Sequence, residues 1–532
     1  MTAFTCQLIG WGALLVECAE VLVARGHRVT GMVTRYPPAR EWASERGITV
    51  VERLSELDDE RPDYLFSVTN DVVLRPDDLA RPRRMAINLH SSPLPKYAGV
   101  HQTTWALLHG ETEHGVTWHE MVAEVDAGRV LVQRRFPIEP DDTTLALDVR
   151  CHEHALSAFE ELLDGLRDGT LTPVPQDPAA RSYFSARRLF PGGGLVTGNQ
   201  TAAELDRWCR AGEFGRFDNR FGRPRLVLGT EAFLVTGLRA LPGAGDAAPG
   251  TVLSVHDEVV RMSTADGAVE VTGLQTVDGD SVAPGEAFTA MGVSERLPEP
   301  PGSAFLSWFE RWAPRESRWL DTLTACTGPA EAPIRPLWLP SPVTRRTTLI
   351  RPSVLTGLRE RGLDPAAALV TAWTTCLGDR FGTVRFSDDH RREAVAGLEV
   401  LVTRDVPLPV APAPELGFPA AVNRVASTLA EMSDAGTYLR DVPARYPLHD
   451  LRDRPMPVAL AATTGGTRLD PAPGTAVTVT LDLATPAFHI AATDHLGPPR
   501  ETVRAFANTA RSVLAFVEAV ADRPSTPLGA LR

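Results

Sequence analysis

The stretch from Ala86 to Val132 constrains this chain more than any other. Met85–Leu89 is a short apolar run whose spacing predicts a strand. Alternation along a strand then puts Asn88 and His90, two residues apart, on one face. Two prolines and a glycine between Ser91 and Gly99 take the chain out of the sheet in a rigid loop. Asp126 precedes Ala127-Gly128, a turn that opens a further strand from Val130 to Phe136. An amide, an imidazole and a carboxylate at the ends of neighbouring strands supply an oxyanion donor, a proton carrier and an orienting anion. Such a set suits acyl transfer or amide chemistry at a carbonyl carbon.

The residues before this stretch alternate strands and helices. Thr5–Ile9 reads as a strand and Ala13–Arg25 as a helix, joined by Gly10-Trp11-Gly12. A dinucleotide fingerprint needs a third glycine and an acid closing the next strand. Leu15 stands where that glycine belongs and Val29–Val33 ends without an acid, so the glycines mark a tight βα turn in a doubly wound sheet. Trp42–Arg46 continues a helix and Ile48–Val51 is a short strand. Pro62–Val68 reads as a buried strand that ends in Thr69-Asn70-Asp71. Strand ends of this kind line the crevice of an open α/β sheet. Further on, Val100–Leu108 is a predicted helix, Gly115–Met121 and Val130–Pro137 are neighbouring strands, and Leu145–Leu166 is a long helix with Thr144 as its expected N-cap.

Several motifs in this region resemble one family. Asn88-x-His90, Ser92-Pro-Leu-Pro-Lys-Tyr-Ala-Gly99, His101-x-Thr-x-Trp-Ala106, Gly115-Val-Thr-Trp-His119 and Asp126-Ala-Gly128 occur in its order. Together they resemble the 10-formyltetrahydrofolate-dependent formyltransferases, and most closely the formylation domains that begin some nonribosomal peptide synthetases. The tRNA and sugar enzymes of the family more often carry Arg where Ala98 stands. The resemblance implies Asn88, His90 and Asp126 as catalytic residues. It implies Phe66, Ser67, Met85, Ser92, Leu94, Pro95 and Val125 as the lining of a pocket for the co-substrate 10-formyltetrahydrofolate. His119 is expected to buttress the site. His101, His109, His114, His152 and His154 are expected on the surface or in helix packing, and no metal is expected.

At 532 residues the chain is long enough for two to four domains. The expected fold class is α/β: a doubly wound formyltransferase domain at 1–180, then a small OB-like β-barrel at 181–297, then an α/β condensation-domain-like half at 300–532. Pro- and Ala-rich residues at Gln176–Ala180 and Pro298–Pro301 read as linkers. The barrel is expected from short Val/Leu/Thr strands separated by Gly and Asp, beside one helix at Thr201–Arg210. Phe305–Leu323 is predicted as one helix with Trp308, Phe309, Trp312 and Trp319 on an apolar side. Arg318–Leu323, Ala366–Leu377, Asp405–Val410 and Tyr438–Asp441 resemble half of a peptide synthetase condensation domain. That family's His-His-x-x-x-Asp-Gly motif is missing, so this region is expected to recruit and not to catalyse.

Charge narrows the partners. The formal net charge is −13, and acids outnumber Arg and Lys between Arg187 and Glu295. A barrel that grips tRNA should be basic, so nucleic acid is not an expected partner. With neither a signal peptide nor a long apolar run expected, and six scattered cysteines reading as reduced thiols, the expected location is the cytoplasm, away from any membrane. The expected acceptor is a small-molecule or carrier-protein-bound amine, amino-acid-like; a nucleotide-sugar amine is the alternative, and a non-enzymatic adaptor role the other. A carrier protein or a homodimer is a further expected partner.

Overall fold

β1 (Thr5–Gly10), α1 (Ala13–Ala24), β2 (Arg28–Val33), α2 (Pro37–Glu45), β3 (Thr49–Val51), β4 (Tyr64–Val68), α3 (Pro76–Leu79) and β5 (Met85–His90) open the chain. They come from a computed structural model that describes residues 3–57, 60–241, 247–328, 333, 336–378, 382–408, 415–451, 454–521 and 526–528. Pro409 and Val410, part of a stretch noted above, lie outside the described residues. β6 (Ala98–Gly99), α4 (Gln102–His109), β7 (Glu113–Glu120), β8 (Val130–Pro137), α5 (Thr144–Asp168) and β9 (Tyr183–Phe184) follow. The chain divides into two compact units, Met1–Arg188 with Arg207–Gly215, and Leu189–Asp206 with Arg216–Arg532.

The first unit is built on a seven-stranded sheet in the order β3-β2-β1-β4-β5-β7-β8. β1 to β5 run parallel, whereas β5, β7 and β8 pair antiparallel. The direction of winding reverses between β1 and β4, and such a switch point opens a crevice at the strand ends. Phe66 and Trp118 pack against Phe159 of α5, and the Trp118 indole N–H donates to the Ala155 carbonyl at 3.0 Å. A buried indole thus finds an acceptor, and α5 is fixed over the strands that carry the site. The helix starts one residue earlier than its sequence suggests. Thr143 is the N-cap, accepting from the Ala146 N–H at 3.1 Å. Thr144, the expected cap, instead donates to the buried Ala211 carbonyl at 2.9 Å. Either threonine fits a cap locally, and the tertiary acceptor decides between them.

The chain continues through α6 (Ala202–Ala211), β10 (Arg225–Leu228), β11 (Glu231–Leu241), β12 (Val252–His256), β13 (Val259–Ser263), β14 (Ala268–Thr276), β15 (Ser281–Val282) and α7 (Pro284–Ala290). In the second unit β10 to β15 form an antiparallel sheet, ordered β10-β11-β14-β13-β12 with β15 on β14. α8 (Gly302–Trp312) and α9 (Ser317–Thr324) come next. The single helix expected over Phe305–Leu323 is therefore two, separated by a 3-10 turn at Ala313–Arg315. Pro314 has no N–H to give an α-helical ladder, so the chain breaks there. Trp308 and Trp319 are buried.

The remaining elements are β16 (Thr344–Leu349), α10 (Pro352–Glu360), α11 (Pro365–Leu377), β17 (Arg385–Ser387), α12 (Asp389–Ala394), β18 (Val406–Pro407), α13 (Phe418–Ala435), α14 (Val442–Arg445), β19 (Val458–Thr463), β20 (Val477–Asp482), β21 (Ala487–Ala492) and α15 (Pro499–Ala521). Their six strands form a mixed sheet ordered β16-β21-β20-β19-β17-β18. One core cluster joins Phe305, Trp308 and Phe309 of α8 to Val227 and Ala232 from the antiparallel sheet and to Leu401, Val402 and Leu439. α8 thus packs both on the antiparallel sheet and on the segments around Leu401 and Leu439.

Candidate active site

Strand register brings the site together. Asn88 pairs with Ser67 of β4 on one side and His119 of β7 on the other, and His90 pairs with Thr117. Paired residues share a face, so Ser67, Asn88, His90, Thr117 and His119 all project the same way. Asp126 reaches this face from the turn between β7 and β8. Its Oδ2 lies 3.5 Å from His90 Nδ1, and its Oδ1 lies 3.6 Å from His119 Nε2. Asn88, His90 and Asp126 therefore converge, with His119 among them.

The hydrogen bonds fix which nitrogen carries a proton. His90 Nε2 is 2.8 Å from the Tyr97 carbonyl, which only accepts, so Nε2 bears the hydrogen. Nδ1 keeps its lone pair, facing the Asp126 carboxylate and the Gln102 amide N–H at 3.4 Å. Protons enter and leave His90 at Nδ1. Asp126 thus faces the titrating nitrogen itself. The same logic applies to His119. Its Nδ1 donates to the Glu120 carbonyl at 2.7 Å, which leaves Nε2 to accept the Asn88 amide N–H at 3.2 Å. One Asn88 N–H is thereby anchored and the second stays available to an oxygen in the site.

Electrostatics agree with these roles. Burial pushes the His90 pKa below the ordinary 6.5, more strongly than Asp126 and the Tyr97 carbonyl push it up. Burial would raise Asp126, but His90, His119 and the Gly99 N–H at 2.8 Å outweigh it and bring it to about 2. The resting pair is a neutral imidazole beside a carboxylate, which is the form a general base needs. If His90 is that base, the acid limb of kcat/KM should have its midpoint below pH 6.5, with activity flat from there through neutrality. A midpoint above the ordinary histidine value would contradict this environment. The sign for stability is the same: the lowered Asp126 pKa contributes fully above its ordinary 3.8 and is lost as pH falls towards about 2.

The backbone around the trio is held in uncommon conformations. Tyr97, His101 and Asp126 have φ of 59°, 59° and 52°. Left-handed non-glycine residues persist where surroundings over-determine them. Here the ties are visible: Gln176 Nε2 donates to the Asp126 and Gly128 carbonyls at 2.8 and 2.7 Å, and Arg181 Nη2 to the Val125 carbonyl at 2.7 Å. Ser182 Oγ accepts the Tyr97 N–H at 2.8 Å. Gln176–Ala180, which composition marks as a linker, lies in the segment that clamps the Asp126 turn. Gly128 is required there, since a Cβ would sit 1.9 Å from the Glu120 carbonyl oxygen. Gly99 is equally confined, 2.1 Å from the Phe184 carbonyl oxygen at φ +99°.

The other expected residues are placed unevenly. Ser67 is fully buried beside Asn88, and its hydroxyl has no hydrogen-bond partner. Met85 is half-buried and Val125 is exposed. Ser92 donates to the Lys96 carbonyl at 2.8 Å, supporting the loop from within. Leu94 and Phe66 are buried, and Pro95, joined to Leu94 by a cis peptide, is half-buried. The Phe66 ring lies on the Phe159 side, so only its backbone faces the strand end. His114 is buried, donates to the Ser91 carbonyl region at 2.9 Å and is driven to a pKa of about 4 by burial; it is a core histidine, not a surface one. His152 meets Glu17 at 2.8 Å and His154 stacks on Phe136. Gln102 and Gln176 were invisible to motif reading, because a lone Gln carries no signal until its acceptor is known. Among the described residues no group of three His, Cys, Asp or Glu is placed to hold a metal.

Residues 21–163, which include Asn88, His90 and Asp126, match the family described as Formyl transferase. Among solved structures, the chain is similar to WlaRD, a sugar 3N-formyl transferase solved with dTDP and 5-N-formyl-THF: 19% identity, 51% of this chain and 98% of that one, TM-score 0.41. It is similar to HypX from Aquifex aeolicus in complex with tetrahydrofolic acid, at 20% identity over 56% of this chain and 50% of that one, TM-score 0.39. An N-formyltransferase from Helicobacter canadensis, complexed with folinic acid and dTDP-3-aminofucose, gives 19% identity, 51% and 99%, and TM-score 0.41. The first unit carries a formyltransferase domain.

Proposed function

We propose that this chain, with its formyltransferase domain at residues 21–163, transfers a formyl group from 10-formyltetrahydrofolate to the amine of an amino-acid-like substrate, free or carrier-bound. The observation that carries this reading is the convergence of Asn88, His90 and Asp126 inside that domain. The co-substrate supplies an electrophilic formyl carbon. The residues present fit it: an orphaned buried hydroxyl at Ser67 and a free Asn88 N–H lie side by side on the face that carries His90. Met85, Pro95 and Val125 offer it side chains, while Phe66 and Leu94, being buried, offer backbone. Ser92 stiffens the loop between them.

Asn88 donates to the formyl oxygen as negative charge builds on it; one such donor typically contributes roughly 3–4 kcal/mol. His90 Nδ1 takes the proton of the attacking amine and passes it to the folate nitrogen as the bond between that nitrogen and the formyl carbon breaks. The imidazolium so formed faces Asp126, whose charge is already in place at 3.5 Å. His119 anchors Asn88 and holds no proton in transit. The second unit combines an OB-like barrel with a condensation-domain-like half, and it recruits the acceptor without chemistry of its own. The reading places the enzyme in the cytoplasm, a compartment in which its six free thiols stay reduced.

Mass spectra of free amino acids, carrier-bound amino acids and nucleotide-sugar amines, each incubated with enzyme and 10-formyltetrahydrofolate, test the acceptor. Formylation of an amino acid is the expected result; formylation of the sugar amine alone would move the reading to that class. Charged initiator tRNA should not be formylated at a useful rate, nor the chain retained on immobilised nucleic acid at near-physiological salt, since the net charge is −13 and acids outnumber bases between Arg187 and Glu295.

A further inference from the structure

A cavity of about 360 Å3 lies within the second unit, remote in sequence from the catalytic trio. Leu323, Trp338, Tyr438 and Met456 form an apolar part of its wall, each no more than 8% exposed. β17 contributes Arg385 to the same wall. The Arg385 Nε is buried and meets no hydrogen-bond acceptor, and among the described residues no carboxylate pairs with this side chain. The other two arginines of the wall are occupied. Arg440 Nη2 sits 2.7 Å from Glu231 Oε2, and Arg454 donates to the Thr324 and Cys326 carbonyls. Asp278 and Asp280, also in the wall, have interactions of their own.

An arginine cannot shed its charge by deprotonation, so a partly buried, unpaired guanidinium against apolar residues is costly until an anion meets it. Pockets that take small molecules are of this kind: mostly apolar, with one or a few polar groups that fix orientation, and of about 300–1,000 Å3. We propose that this cavity binds a small organic carboxylate with an apolar body, the carboxylate on Arg385 and the body against Leu323, Trp338 and Met456. A planar carboxylate matches the guanidinium fork with two parallel hydrogen bonds. The site is separate from formyl transfer and stands whether or not the acceptor is an amino acid.

Calorimetry and thermal unfolding of the full chain with 3-phenylpropionate, phenyl phosphate and the uncharged 3-phenylpropanol test the assignment. 3-Phenylpropionate should bind at sub-millimolar concentration and raise Tm, with the alcohol weaker by about tenfold or more. Arg385→Met should weaken the carboxylate by about tenfold, leave the alcohol as it was, and leave formyl transfer unchanged. Without ligand its Tm should match or exceed that of the parent, because an unpaired charge has been removed. Arg385→Gln provides the same comparison if the methionine variant folds poorly. The proposal is overturned if no probe binds at millimolar concentration, if both variants bind the carboxylate as the parent does, or if phenyl phosphate binds more tightly than 3-phenylpropionate.

Discussion

His90→Ala should lower kcat/KM for formyl transfer by about 10²–10⁴, the range over which a positioned general base acts. The side chain is 4% exposed and its Nδ1 is the one nitrogen left to titrate, so bulk water has little access to its position. Asp126→Asn should lose a comparable factor for a different reason. The amide preserves size, and its oxygen still accepts the Gly99 N–H at 2.8 Å, but the charge that stabilises the imidazolium is gone. Double replacement should cost little more than His90→Ala alone, because residues acting as one unit are not additive. Steady-state kinetics with 10-formyltetrahydrofolate, together with circular dichroism to confirm folding, check this. Activity of His90→Ala within about tenfold of the parent would remove His90 from the proton path.

Arg445→Met should destabilise the second unit by about 3–5 kcal/mol, the loss expected when one partner of a buried ion pair is removed. Arg445 Nη2 lies 2.5 Å from Glu316 Oε2 and its Nε 2.8 Å from Asp441 Oδ1, while Asp441 Oδ2 is 2.6 Å from Arg225 Nη2. All four side chains are at most 6% exposed, so each charge depends on the others for solvation. Without Arg445, Glu316 has lost its ion-pair partner and Asp441 has lost one of two. Arg445→Met combined with Glu316→Gln should therefore cost less than Arg445→Met alone. Denaturant unfolding of both variants measures the difference. A loss below about 1 kcal/mol for Arg445→Met would mean that water reaches the cluster.

Much of the first unit is legible without a structure because its signals are local. A glycine-bounded βα turn, an apolar strand ending in Asn88-x-His90 and a proline-stiffened loop each constrain a few adjacent residues. The trio is likewise local in kind: strand alternation puts Asn88 and His90 on one face, and Asp126-Ala-Gly128 reads as a turn. What spacing does not carry is the identity of distant acceptors. The Tyr97 carbonyl decides which His90 nitrogen titrates, the Glu120 carbonyl decides which His119 nitrogen holds Asn88, and Gln176 secures the Asp126 turn from about fifty residues away. Composition misled where a segment is polar and proline-rich yet tied down, as at Gln176–Ala180, and where proline broke a helical apolar stripe at Pro314.

In the second unit the balance tips further towards tertiary structure. The sequence by itself determined that Trp308 and Trp319 need cover, since indoles at helical spacing are costly to leave in water. It did not determine what covers them. Shared packing of α8 with Val227 and Leu439, and an ion cluster joining Arg225, Glu316, Asp441 and Arg445, unite segments more than two hundred residues apart. Charged residues are normally read as solvated surface, and nothing local distinguishes these four from their exposed neighbours. A charge is safe in the interior only with its partner beside it, and that adjacency exists only once the chain has folded. The shared face of Asn88 and His90, by contrast, follows from the two-residue period of a strand, which is already present in the order of the amino acids.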